Sequence, residues 1–305
     1  MNKTRNILSI ALKVLLGLVF VFSAIVKVID MDKFEIYIYS YHFFSLNFCF
    51  LVARAAIIVE LVLGIGLISN CFHKLMWWGS MAMLAFYTLF LGYALVIGRD
   101  DNCHCFGDVL QFNPWQSVLK NLVLMALFAL VYKVKEFHFK GQWPAMVGVA
   151  VAASVAIFCI VPPDNFVPAY QTQNLQEDVF AEALNAAPLD SLNLDEGKQV
   201  VCFFSTGCKF CQMSAKKLSI MQELYGFPPE NITFVFVGSE ERVSKFYELS
   251  ESTVYRNVLF KDVVQLLKIV NGAFPTIVFM DNGELVHEYG FRNMNEAEIK
   301  AFMAF

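Results

Sequence analysis

Charge is what this 305-residue chain has least of: Asp, Glu, Lys and Arg together make up 16% of it. Hydrophobic residues make up 57%, with 31 Phe, which lies above the range of soluble domains. That excludes a wholly water-soluble protein and makes membrane spans the first expectation. Acids are scarcest early: residues 1–163 hold 8 Asp+Glu against 12 Lys+Arg, a net of +4. Residues 164–305 reverse this, with 19 against 11 and a net of −8. Two regions of opposite charge and different hydropathy imply two domains. The net acidity argues against a nucleic-acid partner. Internal repeats of solenoid period and low-complexity tracts are both missing, which excludes a stacked-repeat architecture and long disordered tails.

What is present in the first half is apolar length. Five stretches have the roughly 20 apolar residues needed to cross about 30 Å of hydrocarbon. They run near Ile7–Ile29, Phe48–Asn70, Leu75–Gly98, Trp115–Tyr132 and Trp143–Pro162. Lys3, Arg5, Lys74, Lys133, Lys135 and Lys140 all fall on one side of this zigzag, which should be the cytoplasm. The amino terminus is then inside and the carboxy-terminal half outside. Lys3 and Arg5 before an apolar run ending Phe22-Ser23-Ala24 also fit a cleaved signal peptide. Four further spans favour a retained first helix. Trp77, Trp78, Trp115, Trp143 and the Tyr37–Tyr41 cluster are expected to form an interfacial belt. The segment Val161–Pro168, with Pro162-Pro163, ends the fifth span and serves as a stiff linker.

The second half alternates strand and helix signals. Gln199–Ser205 is a buried strand, and Thr206-Gly207 turn the chain into a helix from Cys208 to about Tyr225. A second strand covers Ile232–Gly238 and helical stretches cover Glu240–Leu249 and Asp262–Val270. Thr276–Met280 and Glu284–Tyr289 form a hairpin about Asp281-Asn282-Gly283, and a helix closes the chain from Asn295. This is an α/β domain with helices on both faces of one sheet. Its chemistry lies in Cys208-Lys209-Phe210-Cys211 at the first strand-to-helix turn. A thiolate at a helix amino terminus is stabilised by the dipole and free amides, and Lys209 should lower its pKa further. With no second Cys/His pair nearby, a zinc site is not expected there.

Cys-x-x-Cys at the first turn and Phe274-Pro275-Thr276 before the hairpin resemble the thioredoxin fold, over roughly residues 175–305. The resemblance implies that Cys208 is the exposed nucleophile and Cys211 the resolving cysteine. It also implies that Pro275 is a cis proline facing the disulfide. Two departures are Gly207, where the family usually has Trp, and Cys202, where many members bury an acid. Cys202 is expected to be a core residue.

Between the third and fourth spans lies Asp101-Asn102-Cys103-His104-Cys105-Phe106-Gly107-Asp108. Cysteines at i and i+2 would point to opposite sides of a helix, so this pair reads as a loop carrying a strained, easily reduced disulfide. A metal site using Cys49 with this loop is the alternative. With Phe22-Ser23-Ala24, Lys27, Asp30, Glu60, Gly64, Trp115 and Lys120-Asn121, the segment resembles the MauE/DoxX-like redox-associated membrane proteins over about residues 7–135. Members of that group are implicated in disulfide formation in methylamine utilisation. Arg54 and Glu60 inside the second span mark an intramembrane polar site, either a structural ion pair or a place for proton or quinone chemistry. Cys49, Cys103, Cys105 and Cys159 fall near outer span ends and only Cys71 near the inner face. A membrane-soluble acceptor such as quinone therefore suits better than a relay from the cytosol, and no covalently bound cofactor or metal is expected.

These readings combine into an α-helical membrane bundle, a four-helix core with a fifth span, followed by an α/β thioredoxin-like domain. Residues 1–140 are the membrane domain, 141–168 the fifth span and linker, and 169–305 the soluble domain. The expected activity is thiol–disulfide exchange with extracytoplasmic proteins, by a multi-pass protein of a bacterial inner membrane with its soluble domain in the periplasm. Cys208, Cys211, Cys103, Cys105 and Pro275 would carry it. The alternatives are a subunit of a quinone-linked oxidase, or a non-catalytic assembly or metal-handling factor.

Overall fold

The computed structural model describes residues 3–99, 112–134, 141–164, 167, 175, 178–180, 194 and 196–304. Cys103, His104 and Cys105 lie outside the described residues. The chain divides into two compact units: Met1–Ile38 with Phe48–Pro162, and Tyr39–Asn47 with Pro163–Phe305.

The first unit is helical. α1 (Lys3–Ile29), α3 (Leu46–Ser69), α4 (His73–Val96), α5 (Pro114–Val131) and α6 (Gln142–Ile160) are the long apolar helices, and α2 (Met31–Tyr39) is short. Five of them are long and apolar enough to cross a membrane. The sequence locates these five but not α2, because nine residues of mixed acids and aromatics carry too little periodicity to stand out. α5 shows how local sequence sets a boundary. Pro114 fills the first position, where no amide hydrogen is needed, and Asn113 and Gln116 cap each other's backbone reciprocally.

Large apolar side chains such as Leu89 and Val96 point outward, as a helix bundle facing lipid requires. The interior is built from Phe20, Leu63, Leu67, Trp77, Leu84 and Phe128. Trp77 corrects the belt expectation: it is buried, and its indole N–H donates to the Phe128 carbonyl at 2.8 Å. Trp78, Trp115 and Trp143 remain exposed. Gly17 and Gly64 let α1 and α3 cross with their backbones nearly touching. A Cβ at Gly64 would sit 2.9 Å from the Gly17 carbonyl oxygen, and one at Gly17 2.8 Å from that of Gly64.

The second unit is an α/β domain. β1 (Lys198–Ser205), β2 (Ile232–Val237), β3 (Arg256–Leu259), β4 (Thr276–Asp281) and β5 (Glu284–Tyr289) form one sheet in the order β3-β2-β1-β4-β5. β1, β2 and β3 are parallel; β4 and β5 run antiparallel to β1 and to each other respectively. α7 (Lys209–Tyr225), α8 (Glu240–Ser250), α9 (Val263–Ile269) and α10 (Glu296–Met303) connect and cover it. β1 is central and its alternation feeds two cores. Val201 and Phe203 join Val235, Leu266, Ile269 and Val278 on one face. On the other, Phe204 packs within 4.9–6.3 Å, centroid to centroid, of Phe234, Phe236 and Phe246. Cys202 is fully buried in β1, the core place expected for it. The sequence reading missed β3, a four-residue edge strand whose first two residues are exposed.

Candidate functional site

The chain leaves β1 at Ser205 and re-forms as α7 at Lys209, so the turn between them is short and its backbone is fixed. The Thr206 amide donates to the Val237 carbonyl at 3.1 Å and the Cys208 amide to the Ser205 carbonyl at 3.0 Å. Thr206 fits because residue 238 is glycine: a Cβ there would fall 2.2 Å from Thr206 Oγ1. Among the described residues, no atom lies within 4 Å of the place a Cβ would take at Gly207.

Cys208 is the amino-terminal cap of α7, and its sulfur accepts from the Cys211 amide at 3.3 Å. Cys208 is partly exposed and Cys211 buried, and both are free thiols. A hydrogen bond from the Cys211 thiol, together with the amides of Cys211 and Phe210, lowers the Cys208 pKa to about 6 against the opposing effect of burial. These hydrogen bonds, rather than the Lys209 ammonium expected from sequence, account for the shift. Burial, followed by the same hydrogen bond and the charge on Cys208, pushes the Cys211 thiol far up. One turn of helix thus holds a ready nucleophile over a protonated partner.

The Phe274–Pro275 peptide is cis, and Pro275 immediately precedes β4. β4 pairs with β1 through Phe203–Thr276, so Pro275 stands one register step further, at the end of β1 from which the cysteine turn departs. Beneath the motif lies a group that sequence reading left in the linker. Asp164 is buried, with Lys217 Nζ at 3.3 Å and Arg292 Nη1 at 2.7 Å. Lys217 Nζ lies 3.9 Å from the Phe291 ring centre, and Phe291 packs 5.2 Å from Phe210, the residue inside the Cys-x-x-Cys motif. A lone Asp after two prolines and a Lys two turns into a helix carry no local signal of meeting.

In the membrane unit, Arg54 and Glu60 do not pair. Six residues put them about 120° apart around α3, and each finds a different partner. Arg54 Nη1 meets Glu35 Oε1 of α2 at 2.5 Å, and its Nε donates to the Val161 carbonyl at 2.9 Å. Lys27 of α1 donates to both Glu60 oxygens at 2.8 Å, and the Ser23 hydroxyl to Oε1 at 3.1 Å. All four charged side chains are buried. The single polar site read from sequence is therefore two, and their partners Lys27 and Glu35 come from other helices.

Topology and motif define a class: a bundle of membrane-spanning helices joined to an α/β domain of thioredoxin type. Within it, residues 5–134 match the family described as methylamine utilisation protein MauE. Protein TlpB of Flavobacterium psychrophilum is 23% identical over 294 residues, covering 79% of each chain. Similar solved structures cover about a third of the chain. The thioredoxin domain of a thiol-disulfide oxidoreductase from Bacteroides vulgatus is 22% identical, with a TM-score of 0.30 over 36% of this chain and 82% of that one. A secreted Mycobacterium tuberculosis disulfide oxidoreductase is 19% identical, with a TM-score of 0.29 over 37% and 84%.

Proposed function

We propose that the protein is a membrane-anchored thiol–disulfide oxidoreductase acting on proteins outside the cytoplasm, with Cys208 as nucleophile and Cys211 as resolving thiol. The observation that carries this is the paired thiol environment: a partly exposed Cys208 with its pKa lowered to about 6 over a buried, protonated Cys211. The Cys208 thiolate attacks one sulfur of a client disulfide, and the released client thiolate takes up a proton. Cys211 then loses its proton and attacks Cys208 Sγ, closing the Cys208–Cys211 disulfide and releasing the second client thiol. The same two exchanges run backward when the client is a dithiol. A stabilised thiolate favours the reduced pair and so pushes the exchange toward client oxidation.

In this reading Cys103 and Cys105 re-set the redox state of the soluble pair, and Pro275 faces the disulfide that Cys208 and Cys211 form. Support for a membrane partner comes from the MauE domain in the same chain. Serine at Cys208 tests the assignment. Disulfide exchange with a reduced or oxidised model protein should be lost while the chain still inserts in the membrane at normal levels. Retained exchange would leave the oxidase-subunit or assembly-factor reading.

A further inference from the structure

The Lys27–Glu60 pair borders a hollow between α1, α3, α4 and α5 that no step of thiol exchange uses. Its polar lining is Ser23, Lys27, Glu60, Tyr87, Lys120 and Asn121; Val19, Phe20, Met83, Leu84 and Leu124 complete it. The space enclosed is about 20 Å³, within about 360 Å³ counted with its open mouth. The enclosed space suits one oxygen atom of a ligand or one water, and anything larger extends through the mouth.

Asn121 is the informative residue. It is 2% exposed, and its Nδ2 has no hydrogen-bond partner among the described residues. A buried amide left in this way costs about 1–3 kcal/mol. It is a donor awaiting an acceptor. Lys27 Nζ already donates to both Glu60 oxygens and to the Ser23 hydroxyl, so the pair lines the hollow as a neutral polar wall. A buried amide donor in a hollow otherwise walled largely by apolar side chains suits a carbonyl oxygen on an apolar body. Depth agrees with a redox role. Tyr87 is nine residues before the end of α4 and Asn121 seven after the start of α5. At 1.5 Å per residue both lie about 10–14 Å along the helices from the ends joined by the connection that contains Cys103 and Cys105.

We propose that this hollow seats the carbonyl end of a membrane-soluble quinone, held by Asn121 Nδ2 beside the Lys27–Glu60 pair. The proposal rests on the thiol–disulfide reading and supplies its oxidant. A cysteine pair gives up two electrons and two protons, two S–H bonds break and one S–S bond forms, and the quinone becomes a quinol. A lipid ester offers the same carbonyl chemistry, so the test must tell the two apart.

The full chain, purified in detergent, is titrated with a fully ring-substituted decyl quinone, which thiols cannot arylate, and separately with a short-chain phosphatidylcholine. Binding and melting temperature are both read. The quinone should bind and raise the melting temperature, and the phospholipid should not displace it. Asn121→Leu should weaken quinone binding at least tenfold while the melting temperature without quinone stays equal or rises, because an unmatched polar group has been removed. The double variant Lys27→Met, Glu60→Leu, which removes the pair without stranding a charge, should also weaken binding. Unchanged quinone affinity in Asn121→Leu would overturn the seat, as would equal displacement by phospholipid. So would a fall in the melting temperature of Asn121→Leu without quinone, which marks a purely structural amide. If client exchange through Cys208 persists while quinone binds nowhere, the oxidoreductase reading stands and this seat falls.

Discussion

At Cys208 a thiol caps a helix, and the consequence is a pH profile. Only the thiolate reacts, so alkylation of Cys208 by iodoacetamide should rise with pH through about 6 and level off above it. Cys211, pushed the other way by burial, should stay unmodified throughout that range. A midpoint near 8.5, the ordinary thiol value, would remove the proposed activation. Asp164 makes a second prediction at this scale. It neutralises Lys217, whose side chain is 1% exposed. Asp164→Ala should destabilise the soluble unit by about 3–5 kcal/mol, the usual cost of breaking a buried pair, read as earlier unfolding of the full chain in urea. Replacing Lys217 by Met in that background should recover part of the loss. The cysteines and Pro275 are legible in sequence because each sits in a short contiguous motif. Asp164, Lys217 and Arg292 are not, because the three are assembled from distant segments.

The helices and strands follow from local pattern wherever the pattern is long. Five apolar runs of about twenty residues and the two buried strands at Gln199–Ser205 and Ile232–Gly238 are readable, and their observed boundaries differ by at most a few residues. α2 and β3 are not readable: one is short and aromatic, the other a short edge strand. Packing between helices is also invisible in a single run. Gly64 is part of the family resemblance in sequence, but its packing role shows only once α1 is laid against α3, where the two glycines let the backbones approach. Gly64→Val should force the helices apart and cost about 1–3 kcal/mol, as overpacking does, seen as a lower melting temperature in detergent. The same pair of helices is tied by Lys27 and Glu60. Lys27→Met alone should therefore lower the melting temperature more than Lys27→Met with Glu60→Leu, since the single variant strands a buried carboxylate. Equal losses would show that the pair is not coupled.

The whole molecule joins two chemistries in one chain: apolar helices that match the MauE family over residues 5–134, and an α/β domain whose first turn presents a tuned thiol pair. The division into a basic apolar half and an acidic balanced half was legible from composition alone, because bilayer and water select residues so differently. Electron hand-over between the halves is a proposal drawn from the sequence, and it turns on Cys103 and Cys105, which fall outside the described residues. The decisive measurement is the redox state of Cys208 and Cys211 in living cells, read by thiol trapping, with and without Cys103 and Cys105. The account predicts that replacing those two by serine drives the soluble pair to one redox state and stalls its turnover. An unchanged ratio of thiol to disulfide would contradict it.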